Sequence, residues 1–240
     1  MKKILFTIAL VLFAVTAQAK TLIVFYSYTN NVERIVNELR TQIEADVIEV
    51  EPAEKGLDYA ANNYAIGSSQ IAAIHENPND ASSYPAIDPV NVDLSQYSTI
   101  IIGAPLWWSN MAAPMQSFLF QNGKDMADKN IGLIVSSASS GISGVESDAK
   151  RLIPDGKFLS PSLWIRSSQT SNAKSLLQDW LQTTDYNNLT SGIENIKQDN
   201  NRSITVYSLS GVKLLADAES TATLPAGLYI INGKKTIVTR

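Results

Sequence analysis

From Thr21 to about Leu181 the chain alternates short, continuously apolar runs with amphipathic helical stretches. A run that is apolar at every position, without the alternation of a half-exposed strand, belongs to a sheet covered on both faces. Strands of that kind separated by helices pair in parallel. The pattern predicts strands at Thr21–Tyr26, Val47–Glu51, Thr99–Gly103, Ile131–Ser136 and Phe158–Ile165. It predicts helices at Val32–Ile43, Tyr59–Ile74, Ala113–Gln121, Val145–Leu152 and Asn172–Leu181. Right-handed crossovers then put helices on both faces of a doubly wound, five-stranded α/β sheet.

Three stretches break this alternation. Residues 76–97 are rich in Pro, Asn, Asp and Ser, have no sustained period, and predict a long surface loop, suited to a lid or a partner surface. Residues 183–202 are polar and turn-rich, which marks a linker after a domain spanning residues 20–182. Residues 203–240 read as a small β module, with short apolar runs divided by Ser210-Gly211, Pro225-Ala226-Gly227 and Asn232-Gly233 turns. At the other end, residues 1–19 carry two lysines, an apolar run too short to span a bilayer, and the small-residue pattern Ala17-Gln18-Ala19. This is the layout of a cleaved signal peptide, so the expectation is export by the general route with no stable membrane insertion afterwards.

Loss of Lys2 and Lys3 with that leader takes the formal charge from −4 to −6. An acidic chain without a basic cluster is a poor partner for nucleic acid or anionic lipid. The absence of Cys excludes disulfides, a thiol nucleophile and iron–sulfur clusters. The single histidine, His75, leaves no His-rich metal site, and its polar surroundings read as an ordinary surface position. A hydrolase would need a G-x-S-x-G elbow and a usable histidine, and neither is evident.

In an open parallel sheet the crevice lies beyond the carboxyl ends of the strands. Three loops converge there. After the first strand, Ser27, Tyr28, Thr29, Asn30, Asn31 and Val32 set hydroxyls and free N–H groups at the start of a helix, where an anion is held. After the third, "APLWWSNMAAP" brings Pro105, Leu106, Trp107, Trp108 and Ser109; successive strand residues face opposite ways, so one of the two tryptophans is expected in the core. After the fourth, "SSASSGISG" brings Ser137, Ser139, Ser140 and Gly141. A phosphate cradle, an indole plate and a polar flexible loop suit a flat aromatic ring with a phosphate tail, the shape of FMN.

The stretch "IVFYSYTNNVERIV" resembles the strand, phosphate loop and helix that open flavodoxins, and "IIIGAPLWWSNMAAPMQSFL" with "SSASSGISG" resembles the next two loops of flavodoxin-like proteins of the WW-containing type. The likeness covers residues 21–181 and implies a sheet of order 2-1-3-4-5, FMN as cofactor, and electron transfer or flavin-dependent reduction. Matched position by position, it implies that Ser27, Tyr28, Thr29, Asn31 and Val32 hold the phosphate, that Pro105, Leu106, Trp107 and Trp108 flank the ring, and that Ser137, Ser139, Ser140 and Gly141 line its pyrimidine edge. Asn30 and Val32 stand where the pattern has Gly and Thr. Asn tolerates positive φ, but the lost hydroxyl removes a hydrogen bond to a charged group worth about 1.5–3 kcal/mol, so weaker FMN binding is expected. Ser109 replaces a usual glycine, and poorer stabilisation of one-electron-reduced flavin is expected because positive φ costs serine more. No second nucleotide fingerprint is present, so a nicotinamide or quinone partner would have to reach the flavin from its open side. The tail "ITVYSLSGVKLL…LPAGLYIINGKKTIV" is similar to C-terminal sorting modules of the type IX export route, which would place the protein at the cell surface or outside rather than in the periplasm.

Two functions of different classes follow. One is an exported FMN-binding oxidoreductase or electron carrier, acting with a redox protein or on small acceptors such as quinones. The other is a protein of the same shape that has lost flavin and serves as a binding or structural module.

Overall fold

The computed structural model describes residues 20–190, 204–218, 220–231 and 234–239. The signal-peptide reading and the Asn232-Gly233 turn lie outside the described residues, as does the linker beyond residue 190.

Strands β1 (Lys20–Phe25), β2 (Asp46–Glu49), β3 (Tyr97–Trp107) and β5 (Asn130–Ser137) pair in parallel, and a fifth position is shared by β6 (Lys157–Phe158) and β7 (Leu163–Arg166). The order is β2-β1-β3-β5-β6, with β7 also on β5, which is the 2-1-3-4-5 arrangement expected. Alternate residues of each central strand serve two cores. Leu22, Val24, Ile100, Ile102 and Leu133 face α3 (Ala113–Asn122) and α4 (Ser143–Leu152), with Phe118, Met115, Val145 and Ala149 beneath them. Ile23, Phe25, Ile101 and Ile134 face α1 (Asn31–Leu39) and α5 (Ala173–Thr183). Helix α1 buries Val32, Ile35, Val36 and Leu39, the i, i+3, i+4, i+7 stripe of a one-sided helix. These are the two faces that continuous apolar runs require.

Helix α1 ends at Leu39 rather than Ile43 and β2 at Glu49 rather than Glu51, and four further departures from the sequence pattern stand out. Strand β3 runs on through Pro105, Leu106 and Trp107, because a two-residue strand β4 (Asn110–Met111) folds back and pairs with its end. Helix α2 (Ala61–Glu76) opens with Asn62, Asn63 and Tyr64 at φ 50, 57 and 61, a left-handed bend before the regular helix. The segment between α2 and β3 is held to the domain: Asp80 and Asp93 cap short 3₁₀ turns, Tyr84 stacks on Phe120 with ring centroids 4.2 Å apart, and Pro52 bridges Ile87. Finally, α6 (Tyr186–Thr190) occupies part of the expected linker, because Tyr186 is buried on the α1/α5 core and shares a 2.6 Å hydrogen bond with Thr21.

The tail forms its own antiparallel sheet, ordered β11 (Lys234–Val238), β10 (Gly227–Ile231), β8 (Ile204–Tyr207), β9 (Lys213–Ala218), around Val206, Leu224 and Ile231. Among the described residues no helix is long and apolar enough to cross a membrane.

Candidate functional site

A cleft of about 470 Å³ opens at the carboxyl ends of β1, β3 and β5, a size in the range of cofactor sites. Its first wall is the loop before α1. Asn30 takes φ 60 and its side chain caps nothing, so the first N–H groups of the helix have neither an intrahelical partner nor a cap from Asn30. Glu33 N–H donates to Ser27 Oγ at 3.2 Å, and Asn31 Nδ2 donates to Thr29 Oγ1 at 3.1 Å. Both hydroxyls thus accept from the protein and keep their own hydrogens for a ligand. Ser27, Tyr28, Thr29, Asn31 and Val32 all line the cleft, whereas Asn30 shapes the turn without lining it.

The second wall is aromatic. Trp107 is half-buried, edge-on to Tyr26 at 5.7 Å and tilted against Tyr59 at 4.8 Å, while Trp108 is 46% exposed at the rim. One indole therefore packs on the core and the other faces outward, because β3 ends at Trp107 and Trp108 lies in the turn that follows. Pro105, Leu106 and both tryptophans line the cleft; Ser109 does not. Trp108 and Ser109, at φ 45 and 63, form a two-residue hairpin between Trp107 and its partner Asn110. Positive φ at both central positions marks a type I′ turn, usually made by Asn-Gly. Ser109 thus already occupies the conformation its side chain disfavours, and a close approach explains part of how it is held: a Cβ on Gly144, in α4, would lie 1.9 Å from the Ser109 carbonyl oxygen.

Polar brackets fix this hairpin. Met111 N–H donates to Asp148 Oδ2 at 3.0 Å, and Gln116 Nε2 donates to the Met111 carbonyl at 2.7 Å. Arg151 ties Asp148 (3.2 Å), Gln116 (2.8 Å) and Tyr84 (2.9 Å) together from behind. His75, read from sequence as a plain surface position, is exposed but lies 2.9 Å from Asn110 Oδ1.

The third wall differs in detail from expectation. Ser137 lines the cleft, but its Oγ accepts Trp164 Nε1 at 2.8 Å and donates to the Ser140 carbonyl at 3.1 Å. Ser139, Ser140 and Gly141 are exposed and do not line the cleft. Ser136 and Ala138 line it instead, and the buried Ser136 Oγ has no hydrogen-bond partner among the described residues.

Sequence reasoning also missed Tyr59, Ala60, Tyr64, Gly67 and Ser167, all of which line the cleft. Tyr59 arrives because the segment before α2 is pinned to the first loop: Tyr28 Oη donates to Asp58 Oδ1 at 3.1 Å and accepts Ala60 N–H at 3.1 Å. The signal was present in Asn62-Asn63, residues prone to left-handed turns, between two tyrosines. Burial raises the Tyr59 hydroxyl above its ordinary range; Gln70 lies close enough to oppose this, yet neither Tyr59 Oη nor Gln70 Oε1 has a hydrogen-bond partner among the described residues. Burial, reinforced by Tyr59, Tyr28 and Glu49, raises Tyr26 further still. Both phenols stay neutral, and among the described residues no charged side chain lines the cleft.

A parallel sheet in this order, with hydroxyl and aromatic loops at its carboxyl ends, defines a flavodoxin-like α/β protein. The flavodoxin family model matches residues 20–184, and the chain belongs to that family. Solved structures agree on the fold. A candidate flavoprotein of Bacteroides eggerthii aligns with a TM-score of 0.56 at 20% identity, over 70% of this chain and 98% of its own. One from Bacteroides uniformis gives 0.54 at 22%, over 67% and 98%. A Lactobacillus acidophilus flavoprotein solved in complex with FMN gives 0.50 at 23%, over 65% and 99%. Curated proteins provide no match.

Proposed function

We propose that this protein binds FMN in the cleft and acts after export as an electron carrier or as a flavin-dependent reductase of small acceptors such as quinones. The observation that carries the reading is the meeting of a helix start that Asn30 leaves without a side-chain cap, two hydroxyls with free hydrogens, and the Trp107, Trp108 and Tyr59 rings in one cleft. The Asn31 and Val32 N–H groups, with the Ser27 and Thr29 hydroxyls, would hold the phosphate; the indoles would bound the ring; Ser136 offers an unused hydroxyl near its polar edge. The flavin would supply the electron and hydride chemistry, while the protein orients it and keeps the apolar side of the cleft dry. The family match and the FMN-bound Lactobacillus relative support this assignment. The pattern of residues 1–19 supports export, and the similarity of the tail to sorting modules supports a destination beyond the periplasm.

A second reading, a flavodoxin-shaped module without flavin, draws on one geometric feature. Tyr59 already covers a face of Trp107 at 4.8 Å, which leaves no room for a third ring between them. Titration of the protein from Lys20 onward with FMN separates the two. The FMN reading expects one-to-one quenching of flavin fluorescence, weakened by Thr29→Ala and by Trp107→Ala. No quenching by a folded protein would favour the module.

A further inference from the structure

The hairpin that carries Trp108 places an aromatic residue and a serine in the left-handed region, which side chains of both kinds disfavour. Such backbone persists where neighbours over-determine it. One hold is Asn110, whose Nδ2 donates to the Trp108 carbonyl at 2.6 Å. A carbonyl only accepts, so this bond sets the amide with its nitrogen toward Trp108 and Oδ1 turned away. Oδ1 lies 2.9 Å from His75 Nε2. Since Oδ1 also only accepts, Nε2 carries a hydrogen, which neutral and charged imidazole can both supply. His75 stands in the last turn of α2, 35 residues before Asn110. Near the start of the same helix, Tyr64 meets the Trp108 ring edge-on at 6.5 Å. Helix α2 therefore grips Trp108 at two places, through ring packing at one end and through a two-bond relay at the other.

We propose that His75 and Asn110 are positioning residues: the relay from His75 through Asn110 to the Trp108 carbonyl holds the Trp108 indole in the orientation in which it lines the cleft. The effect on flavin rests on the FMN reading above; the relay itself does not. The chemistry specifies which replacements work. Asp at 110 cannot donate to the carbonyl. Gln at 75 retains a donor at a comparable reach, and Leu at 75 has none.

The test uses the whole chain from Lys20 onward with Asn110→Asp, His75→Leu and His75→Gln, each first shown to melt cooperatively. His75 is exposed, so its variants keep the core even if Asn110→Asp does not fold. Without flavin, the near-ultraviolet circular dichroism of the indoles is expected to fall in His75→Leu and Asn110→Asp and to be retained in His75→Gln. With FMN, the dissociation constant is expected to rise about five- to tenfold in the first two, the loss of one such hydrogen bond, and to stay within about twofold in His75→Gln. Unchanged indole signals in His75→Leu, or FMN affinity equal to wild type in a variant whose indole signal has fallen, would overturn the proposal. If wild-type protein binds no FMN but the dichroism follows this pattern, the relay stands and the flavin reading fails.

Discussion

Asp148, with its side chain 8% exposed, accepts the backbone N–H of Met111 at 3.0 Å and so joins α4 to the short strand behind the indole hairpin. The same carboxylate meets Arg151 at 3.2 Å, and Arg151 continues to Gln116 and Tyr84. Asp148→Ala leaves a buried N–H unpaired and Arg151 without its carboxylate. The expected cost is about 2–4 kcal/mol, read from urea unfolding. A loss under 1 kcal/mol would mean that water replaces the carboxylate and the bracket is dispensable.

Gly67 separates the demands of the fold from those of the site. A Cβ there would lie 3.0 Å from the Trp108 ring and 3.4 Å from Trp107. Gly67→Ala gains up to about 1 kcal/mol of helix propensity, while Trp108, at the surface, can swing outward. Unfolding stability is expected to hold or rise as FMN affinity drops about tenfold or less, the worth of one aromatic packing partner. Unaltered affinity would show that the indole has no fixed place beside the ligand.

Ser27 serves the helix as well as the cleft. Because its Oγ accepts the Glu33 N–H, Ser27→Ala should lower thermal stability by about 1 kcal/mol even in the absence of flavin, as loss of a helix cap does. Thr29→Ala, whose hydroxyl accepts only from the Asn31 side chain, should leave the melting temperature nearly unchanged while weakening FMN. Equal melting temperatures for the two variants would contradict this division.

Glu49 gives stability a pH dependence of definite sign. Partial covering of a side chain that still reaches solvent comes first, then Glu33 and Glu51, and together they raise its carboxyl above the ordinary 4.5. The folded chain therefore binds this proton more tightly than the unfolded chain, and stability falls as pH rises through the window above 4.5. Glu49→Gln removes the penalty. Its melting temperature is expected to match wild type near pH 4 and exceed it near pH 7, pH values on either side of the roughly 4.3 of a free glutamate. A variant less stable than wild type at neutral pH would reverse the assignment.

Tyr186 defines where the domain ends. A chain stopped at Gln182 loses the buried ring and its bond to Thr21, so it should unfold at lower urea than one stopped at Thr190. Tyr186→Phe isolates the hydrogen bond, worth about 1 kcal/mol. Coincident curves for the two truncations would return residues 183–190 to the linker.

The sheet was legible because parallel strands covered on both faces must be apolar at every position, and Leu22 through Phe25 or Ile100 through Ile102 meet that demand without reference to anything distant. The first loop was legible for a related reason: Ser27, Thr29 and Asn31 act on the helix that follows them directly. The rest of the site depends on tertiary placement. Nothing local marks Trp108-Ser109 as a type I′ turn, since neither is a residue that turn prefers; Asp148, Gln116 and Gly144 impose it from elsewhere. Tyr59 reaches the cleft through Tyr28 and Asp58, two partners that no periodicity connects. In the third loop, Ser137 looked free until Trp164, from β7, took its hydroxyl as an acceptor.

The cleft draws its walls from the ends of β1, β3 and β5, three adjacent strands at the centre of the sheet that are far apart in the chain. A molecule bound there is gripped at the ends of fully buried central strands, the kind of element that opens only with the domain as a whole, so its release by unfolding is expected to need the sheet to come apart rather than one loop to fray. Saturating ligand should therefore slow amide hydrogen exchange deep in Leu22–Val24 and Ile100–Ile102, where no ligand atom reaches, as much as in the loops that touch it. For the same reason a fragment that carries only one of these strands and its loop inherits no share of the affinity.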